Sequence, residues 1–447
     1  MTNKIINATL NVIIFIVPLL IIPIGYSKIP YNILKISVLL LCGLILLITL
    51  IIKRKELKFD NIDKTLLVLY ILIFLSTIFS INLKNAILGA KYRYEGLLTL
   101  TCYFLTYYTS KYYFKPHKYV EKFAIIVVWI TSIIGILQYH NLFFIYNIFK
   151  IPHVASFASS TFGNTNFFGN FLAIIVPTFM ALYITKNKKV YLFTSYISFF
   201  AMLATTTRSS WVGLFFASIF GLIYVIKNRK KDLIKNTLQI VIGFIIIFVI
   251  ALNSPKWVSK LISNINSHIN NNNNNSNIEI VENDLLQNRL DIMNVELQSA
   301  LKDKNVKNSF GSYRIEIWNI VLGVIPKVPL LGTGPDTLAY SLIKYNTNDA
   351  LTYIKGHSQY IDKAHNEYLQ IAATMGIPAL IVYLIFLCQI LVKQKNMFKD
   401  TSSFILVIPI ISYICQAFFN ISTIGVAPIF WCILGLIQNI DVKKKLQ

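Results

Sequence analysis

Acidic residues are scarce in this sequence: 19 Asp and Glu stand against 42 Lys and Arg in 447 residues. Charge of either sign amounts to 14% of the chain, where a soluble domain carries about 25%. A water-facing surface needs more charge than that, so a soluble enzyme is excluded. Disorder is excluded by the opposite quantity, since 55% hydrophobic residues and a mean hydropathy of +0.60 reverse the composition of unfolded chains. Cysteine is sparse as well. All five, Cys42, Cys102, Cys388, Cys415 and Cys432, fall inside apolar runs, which leaves no disulfide framework and no Cys-based metal site. Strand-like alternation is also missing. Because lipid tolerates only helices and closed barrels, the expected fold is an all-α polytopic membrane protein.

Apolar runs occur at 8–26, 31–52, 64–82, 96–111, 120–140, 166–185, 189–206, 209–226, 234–252, 366–392, 403–420 and 424–440. At roughly 20 residues per crossing this predicts about twelve transmembrane helices, the fourth being the shortest. The first run is too long for a signal peptide and lacks a small-x-small cleavage site before Tyr26, so it is expected to stay as a helix. The formal charge of +23 would suggest a nucleic-acid partner in a soluble protein. Its distribution argues against that. Lysines and arginines gather in alternate short loops, such as Lys53, Arg54, Lys55 and Lys58, or Lys227, Arg229, Lys230 and Lys231, as the positive-inside rule requires of cytoplasmic segments. Both termini are then expected inside, with the basic loops meeting anionic lipid and no nucleic acid bound.

Three parts follow from this pattern. Residues 1–252 carry helices one to nine, 253–365 form a long extracytoplasmic loop, and 366–447 carry the last three helices. Within the loop, 264–277 is a low-complexity Asn-rich insertion. Helical apolar spacing at 285–301 and 313–325 predicts a small helical cap over the membrane domain.

Polar residues collect at the predicted outer edge in a few places. Arg208, within Thr205–Trp211, opposes the positive-inside bias; it is either a snorkelling side chain or half of an anion site completed by hydroxyls and the N-terminus of the following helix. Arg314 and Trp318 stand four apart on one helical face, before the turn Pro329-Leu330-Leu331-Gly332-Thr333-Gly334-Pro335. His365 lies at the start of the tenth run, where the helix dipole is expected to lower its pKa and leave a neutral imidazole, either a cap or a proton acceptor. Asn164 and Asn166 precede the sixth run, where capping suffices to explain them. Arg93, with Lys91 and Glu95, forms a smaller outer cluster. His357, Asp362 and His365 match no strong zinc spacing, so no metal is expected.

At these places the sequence resembles the O-antigen ligase and polymerase superfamily of bacterial membrane glycosyltransferases. Gly163-Asn164-Thr165-Asn166-Phe167 is similar to its GNPNF segment, with Thr for Pro, and Thr207-Arg208-Ser209-Ser210-Trp211 to its SRGAW segment. Arg314, Trp318 and Pro329–Pro335 resemble its R…W…PLLGxGP stretch. His365-Asn366-Glu367-Tyr368-Leu369 with Gly376-Ile377-Pro378 resembles HNxyL…GipG, Ala379 replacing the last Gly. Arg93-Tyr94-Glu95-Gly96-Leu97 is like a weaker outer element. The resemblance covers about 155–390.

The resemblance implies a GT-C-like membrane enzyme in the bacterial plasma membrane. It would transfer a glycan from a polyprenyl-diphosphate carrier to a hydroxyl of a glycan, lipid or protein acceptor, with inversion and without cofactor or metal. His365 would be the general base, and Arg208 and Arg314 would stabilise the leaving diphosphate. Arg93, Asn164, Asn166, Ser209, Trp318, Asn366 and Glu367 would line the substrate site, Arg93 holding a second phosphate or lipid head groups. The rival class is a flippase or secondary transporter, which predicts ionisable residues at mid-membrane and paired broken helices. The spans are nearly free of charge, and Pro18, Pro177 and Pro409 form no paired pattern.

Overall fold

The computed structural model describes residues 2–21, 32–115, 119–140, 158–272, 313–357, 360–439 and 444. Among these, every regular element is helical. Helix α1 (Thr2–Asn11) passes into a π turn (Val12–Ile16) and a 3-10 turn (Val17–Leu19). There follow α2 (Ile33–Ile52), α3 (Asn61–Ile78), the short α4 (Leu83–Leu88), α5 (Leu97–Tyr113), α6 (Val120–Tyr139), α7 (Thr165–Lys186), α8 (Lys189–Ala204), α9 (Arg208–Asn228) and α10 (Lys231–Asn272). The second half contains α11 (Arg314–Leu322), α12 (Leu338–Tyr345), α13 (Thr347–His357), α14 (Glu367–Met375), α15 (Ile377–Lys393), α16 (Thr401–Gln416) and α17 (Ala427–Leu436).

Among the described residues, eight helical elements are long and apolar enough to cross a bilayer, with Thr2–Leu19 taken as one and Lys231–Pro255 as the spanning part of α10. The remaining predicted runs fall on the shorter α5, α8, α15 and α17. The chain is therefore a polytopic membrane protein, with eight full-length helices among the described residues where about twelve spans, the fourth the shortest, were expected. Large apolar side chains such as Leu41, Ile52, Ile242 and Ile245 are more than half exposed along these helices. Such a surface has no place in water and suits lipid.

Two boundaries differ from the sequence reading. Helix α10 continues past 252 through Pro255 to Asn272, so the long segment begins as an extension of that helix. The tenth run breaks at Gly376, whose φ of +92° separates α14 from α15. A Cβ there would stand 2.2 Å from the Leu330 carbonyl oxygen, so the break is locked by the neighbouring turn. The predicted helix at 285–301 and the Asn-rich run beyond 272 lie outside the described residues.

Among the described residues, two apolar cores are present. The large one fills the helix bundle, and close approach is made possible by small residues: a Cβ on Gly435 of α17 would stand 2.5 Å from the Tyr107 carbonyl of α5. The small one is built from α11 to α14, with Ile317, Val321, Leu338, Leu342, Tyr353 and Ala364 buried together. It forms a cap at one end of the bundle, and of the two stretches expected there only 313–325 falls among the described residues, as α11. Lys35 lies buried near the same end and donates to the carbonyls of Val17, Pro18 and Thr161 at 3.1 to 3.2 Å. The ammonium, with Thr161 donating its hydroxyl to the Pro18 carbonyl at 2.7 Å, ties the unwound end of the first span to the loop that precedes α7.

Candidate active site

At the cap end of the bundle, four elements each deliver one basic or titratable side chain. Arg93 sits in the loop between α4 and α5, Arg208 is the first residue of α9, Arg314 the first of α11, and His365 lies two residues before α14. Arg93 is tied to Asp362, its Nε and second guanidinium nitrogen standing 2.7 and 2.6 Å from the same carboxylate oxygen. Its guanidinium also lies 5.4 Å from the Phe167 ring centroid, at the start of α7.

The backbone around these side chains is strained. Among the described residues, nine non-glycine residues have positive φ, and seven of them surround this end: Tyr92, Tyr94, Ser160, Thr206, Tyr313, Asp336 and His365. Tyr92 and Tyr94 flank Arg93, Tyr313 precedes Arg314, Thr206 stands two before Arg208, and His365 itself has φ +49°. The other two, Asn187 and Arg229, are ordinary left-handed helix ends. Each such residue costs of order 1–3 kcal/mol, and strain of this kind clusters where side chains are held for function.

Electrostatics couples the same groups. Burial lowers the His365 pKa to about 4, opposed by Asp362 and reinforced by Arg314, Arg93 and Lys363. Desolvation is the main cause of the lowering, and the nearby cations add to it, so the imidazole is neutral near pH 7. Arg314 is lowered by burial and by Arg208, so the two guanidinium groups feel each other. Among the described residues neither has a carboxylate partner within ion-pair distance. Asp362 is pushed up by burial, but Arg93 above all, with Lys363 and His365, holds it below the ordinary carboxylate range. Two repelling guanidinium groups beside a neutral imidazole form a ready site for a polyanion.

A second, buried ionic cluster fixes the loops. Lys363 reaches Asp336 at 2.7 Å and Glu95 at 3.3 Å, with both carboxylates and the ammonium almost fully enclosed. The other Asp336 oxygen accepts from the backbone N–H of Ala90 at 2.7 Å and of Glu95 at 3.1 Å. Arg93 is thereby held from both sides. Trp318 donates its indole N–H to the Ala364 carbonyl at 3.0 Å, next to His365. The Gly332–Gly334 turn is clamped beneath: Thr333 and Gly334 donate to the Thr374 carbonyl at 3.1 and 2.7 Å, and Ile377 donates to Pro329 at 2.8 Å. So the glycine-rich turn braces α14, which carries the His365 segment.

The other candidate residues fall into supporting positions. Asn164 caps α7 by accepting from the Asn166 N–H at 2.8 Å, and Asn366 caps α14 by accepting from Tyr368 and Leu369 at 3.0 Å each. Ser209 is buried and accepts from the Asn420 amide at 3.0 Å, and Asn420 also reaches the Asn166 carbonyl at 3.4 Å. Glu367 accepts from Tyr383 and Tyr413, both at 3.0 Å, inside the bundle. His357 bonds Glu316 at 3.1 Å, apart from Asp362 and its Arg93 partner. Sequence reasoning missed Asp336, Lys363 and Asn420, and weighed Asp362 only as a metal ligand. The available signal was scarcity: with 19 acids in the chain, four of them, Glu95, Asp336, Asp362 and Glu367, converge here.

Residues 193–384 match the family model described as O-antigen ligase, so this stretch of the chain is similar to that family. The matched stretch includes Arg208, Arg314, Trp318, Asp362, Lys363 and His365, and ends before α16. Arg93, Asn164 and Asn166 precede it. No curated protein matches the chain. The match suggests a glycan-transfer role in surface polysaccharide synthesis.

Proposed function

We propose that the protein transfers a glycan from a polyprenyl diphosphate to an acceptor hydroxyl at the outer face of the bacterial plasma membrane, both termini being cytoplasmic. The observation that carries this reading is the convergence of Arg208, Arg314 and His365 on one end of the bundle, beside the Arg93–Asp362 pair. In the transfer, the acceptor O–H gives its proton to His365 while its oxygen bonds the anomeric carbon. The bond from that carbon to the diphosphate oxygen breaks, and the electron pair leaves with the diphosphate. Attack from the opposite side inverts the anomeric centre. The developing charge falls on oxygens facing Arg208 and Arg314, where preorganised donors in a low-dielectric cleft are worth most.

A base with a pKa of about 4 is weak until the donor arrives. Burial and nearby cations depress it, and a bound diphosphate neutralises those cations. The His365 pKa then rises by the part the cations had taken from it, so the base is stronger in the loaded site than in the empty one. The arginines supply the charge stabilisation that this reading assigns to no metal. The Asn164 and Asn366 caps, Ser209, Trp318 and Glu367 act here as positioning groups. Arg93, fixed on Asp362, is left to meet a second phosphate or the lipid head groups at its edge.

Glycan analysis of a deletion strain tests the reading and fixes the acceptor. Single repeat units left on the lipid carrier identify a polymerase, and full-length chains left there identify a ligase. Normal surface glycan in the deletion strain contradicts both.

A further inference from the structure

At the far end of the bundle, away from the site, lies a cavity of about 520 Å³ with no part in the reaction above. Its volume is within the range of about 300 to 1,000 Å³ usual for ligand pockets. The walls are apolar and come from the π turn after α1 and from α6, α7, α8, α16 and α17, with Ile174, Phe179, Pro409 and Cys432 among them. The rim is charged. Lys186 ends α7, Lys188 stands in the turn before α8, and Glu121 opens α6. Lys188 is 3.5 Å from Glu121 and 5.4 Å from the Tyr191 ring, which leaves the rim with a net positive charge.

The depth follows from helix geometry. Ile174 and Lys186 both line the cavity, and twelve residues at 1.5 Å each place them about 18 Å apart. Half the hydrocarbon thickness of a bilayer is about 15 Å. The cavity thus reaches from the charged helix ends to mid-membrane, the length of a single leaflet's acyl chain, with cations where a phosphate would stand. Three helices end at the rim, so a head group there would join α6, α7 and α8.

We propose that this cavity is a binding site for one anionic glycerophospholipid, an acyl chain filling the apolar part and the phosphate lying at Lys186 and Lys188. Charge complementarity selects the head group, and the depth of the apolar cleft distinguishes the site from the general lipid belt.

The test uses the full-length chain in a neutral maltoside detergent, read by its melting temperature. Phosphatidylglycerol is expected to raise it by about 3 °C or more, and phosphatidylcholine of the same chains by clearly less. The Lys186→Gln/Lys188→Gln double variant is expected to lose the difference between the two lipids. Lys227→Gln/Lys230→Gln, basic residues outside the cavity lining, should keep it. Ala124→Phe, which fills the cavity, should lose the response to phosphatidylglycerol. Equal shifts from the two lipids in the unaltered protein, or a phosphatidylglycerol shift that survives the Lys186 and Lys188 changes, would overturn the proposal. So would an equal loss in the Lys227 and Lys230 variant, which would mean general surface attraction.

Discussion

Arg93 and Asp362, 269 residues apart in the chain, meet through two guanidinium nitrogens on one carboxylate oxygen at 2.6 to 2.7 Å. The pair joins the loop before α5 to the segment carrying His365, so residues from the first and last thirds of the chain complete one site. The neighbouring Lys363 makes the same connection a second time through Glu95 and Asp336. Loops with strained backbone are held by ion pairs at several points, as a site built for a charged ligand requires.

Removal of Lys363 should be costly to the fold. Lys363→Met leaves Asp336 and Glu95 enclosed without their cation, and breaking a buried pair in this way costs about 3–5 kcal/mol. Chemical or thermal unfolding in detergent measures it. A variant as stable as the parent would mean that the cluster does not hold the loops.

Acid should loosen the site before it loosens the bundle. His365 has a pKa of about 4 in the folded chain against an ordinary 6.5, so the unfolded state binds the extra proton first. Its contribution to stability is complete above pH 6.5 and declines as pH falls from there to about 4. The lowered Asp362 adds a further loss below its ordinary 3.8. Melting temperatures across pH 4 to 8 should show the decline, and His365→Gln should flatten its upper part. A parent protein with no pH dependence in that window contradicts the buried neutral histidine.

Two glycines should respond in opposite ways to alanine. At Gly376 the φ of +92° and the Leu330 oxygen 2.2 Å from the new Cβ leave no room, so Gly376→Ala should lower folded yield and abolish transfer. At Gly221, within α9, nothing lies within 4 Å, and Gly221→Ala should keep activity and gain up to about 1 kcal/mol from helix propensity. Expression and melting temperature of the pair provide the comparison.

The two arginines should be separable by charge and shape. Arg314→Lys keeps a positive charge but loses the planar fork, so transfer should fall by less than in Arg314→Ala, where loss of one preorganised donor costs about 100- to 1,000-fold. Steady-state transfer rates with a lipid-linked donor measure it. Equal rates in Arg314→Lys and Arg314→Ala would show that net charge is not what this position supplies.

Membrane class, most helices and the motif-bearing residues were legible in the sequence because hydropathy and local spacing encode them directly. Arg208, Arg314 and His365 stood out as polar groups at helix starts, and the cap helix at 314–322 matched its apolar spacing. Less legible was anything that depends on long-range pairing. Lys363 looks like an unremarkable loop lysine until Asp336 and Glu95 are brought to it from 27 and 268 residues away. The tenth run looked continuous because hydropathy does not register φ, and Gly376 breaks it through a contact with a distant turn. The low His365 pKa was anticipated from the helix start, which is visible in sequence, whereas burial beside three cations is not.

The most direct measurement is glycan transfer by the reconstituted protein from a polyprenyl-diphosphate donor, comparing the parent with Arg208→Ala and His365→Ala at matched folding. The account predicts a loss of at least about 100-fold in each variant. Transfer at the parent's rate by either folded, membrane-inserted variant would contradict it.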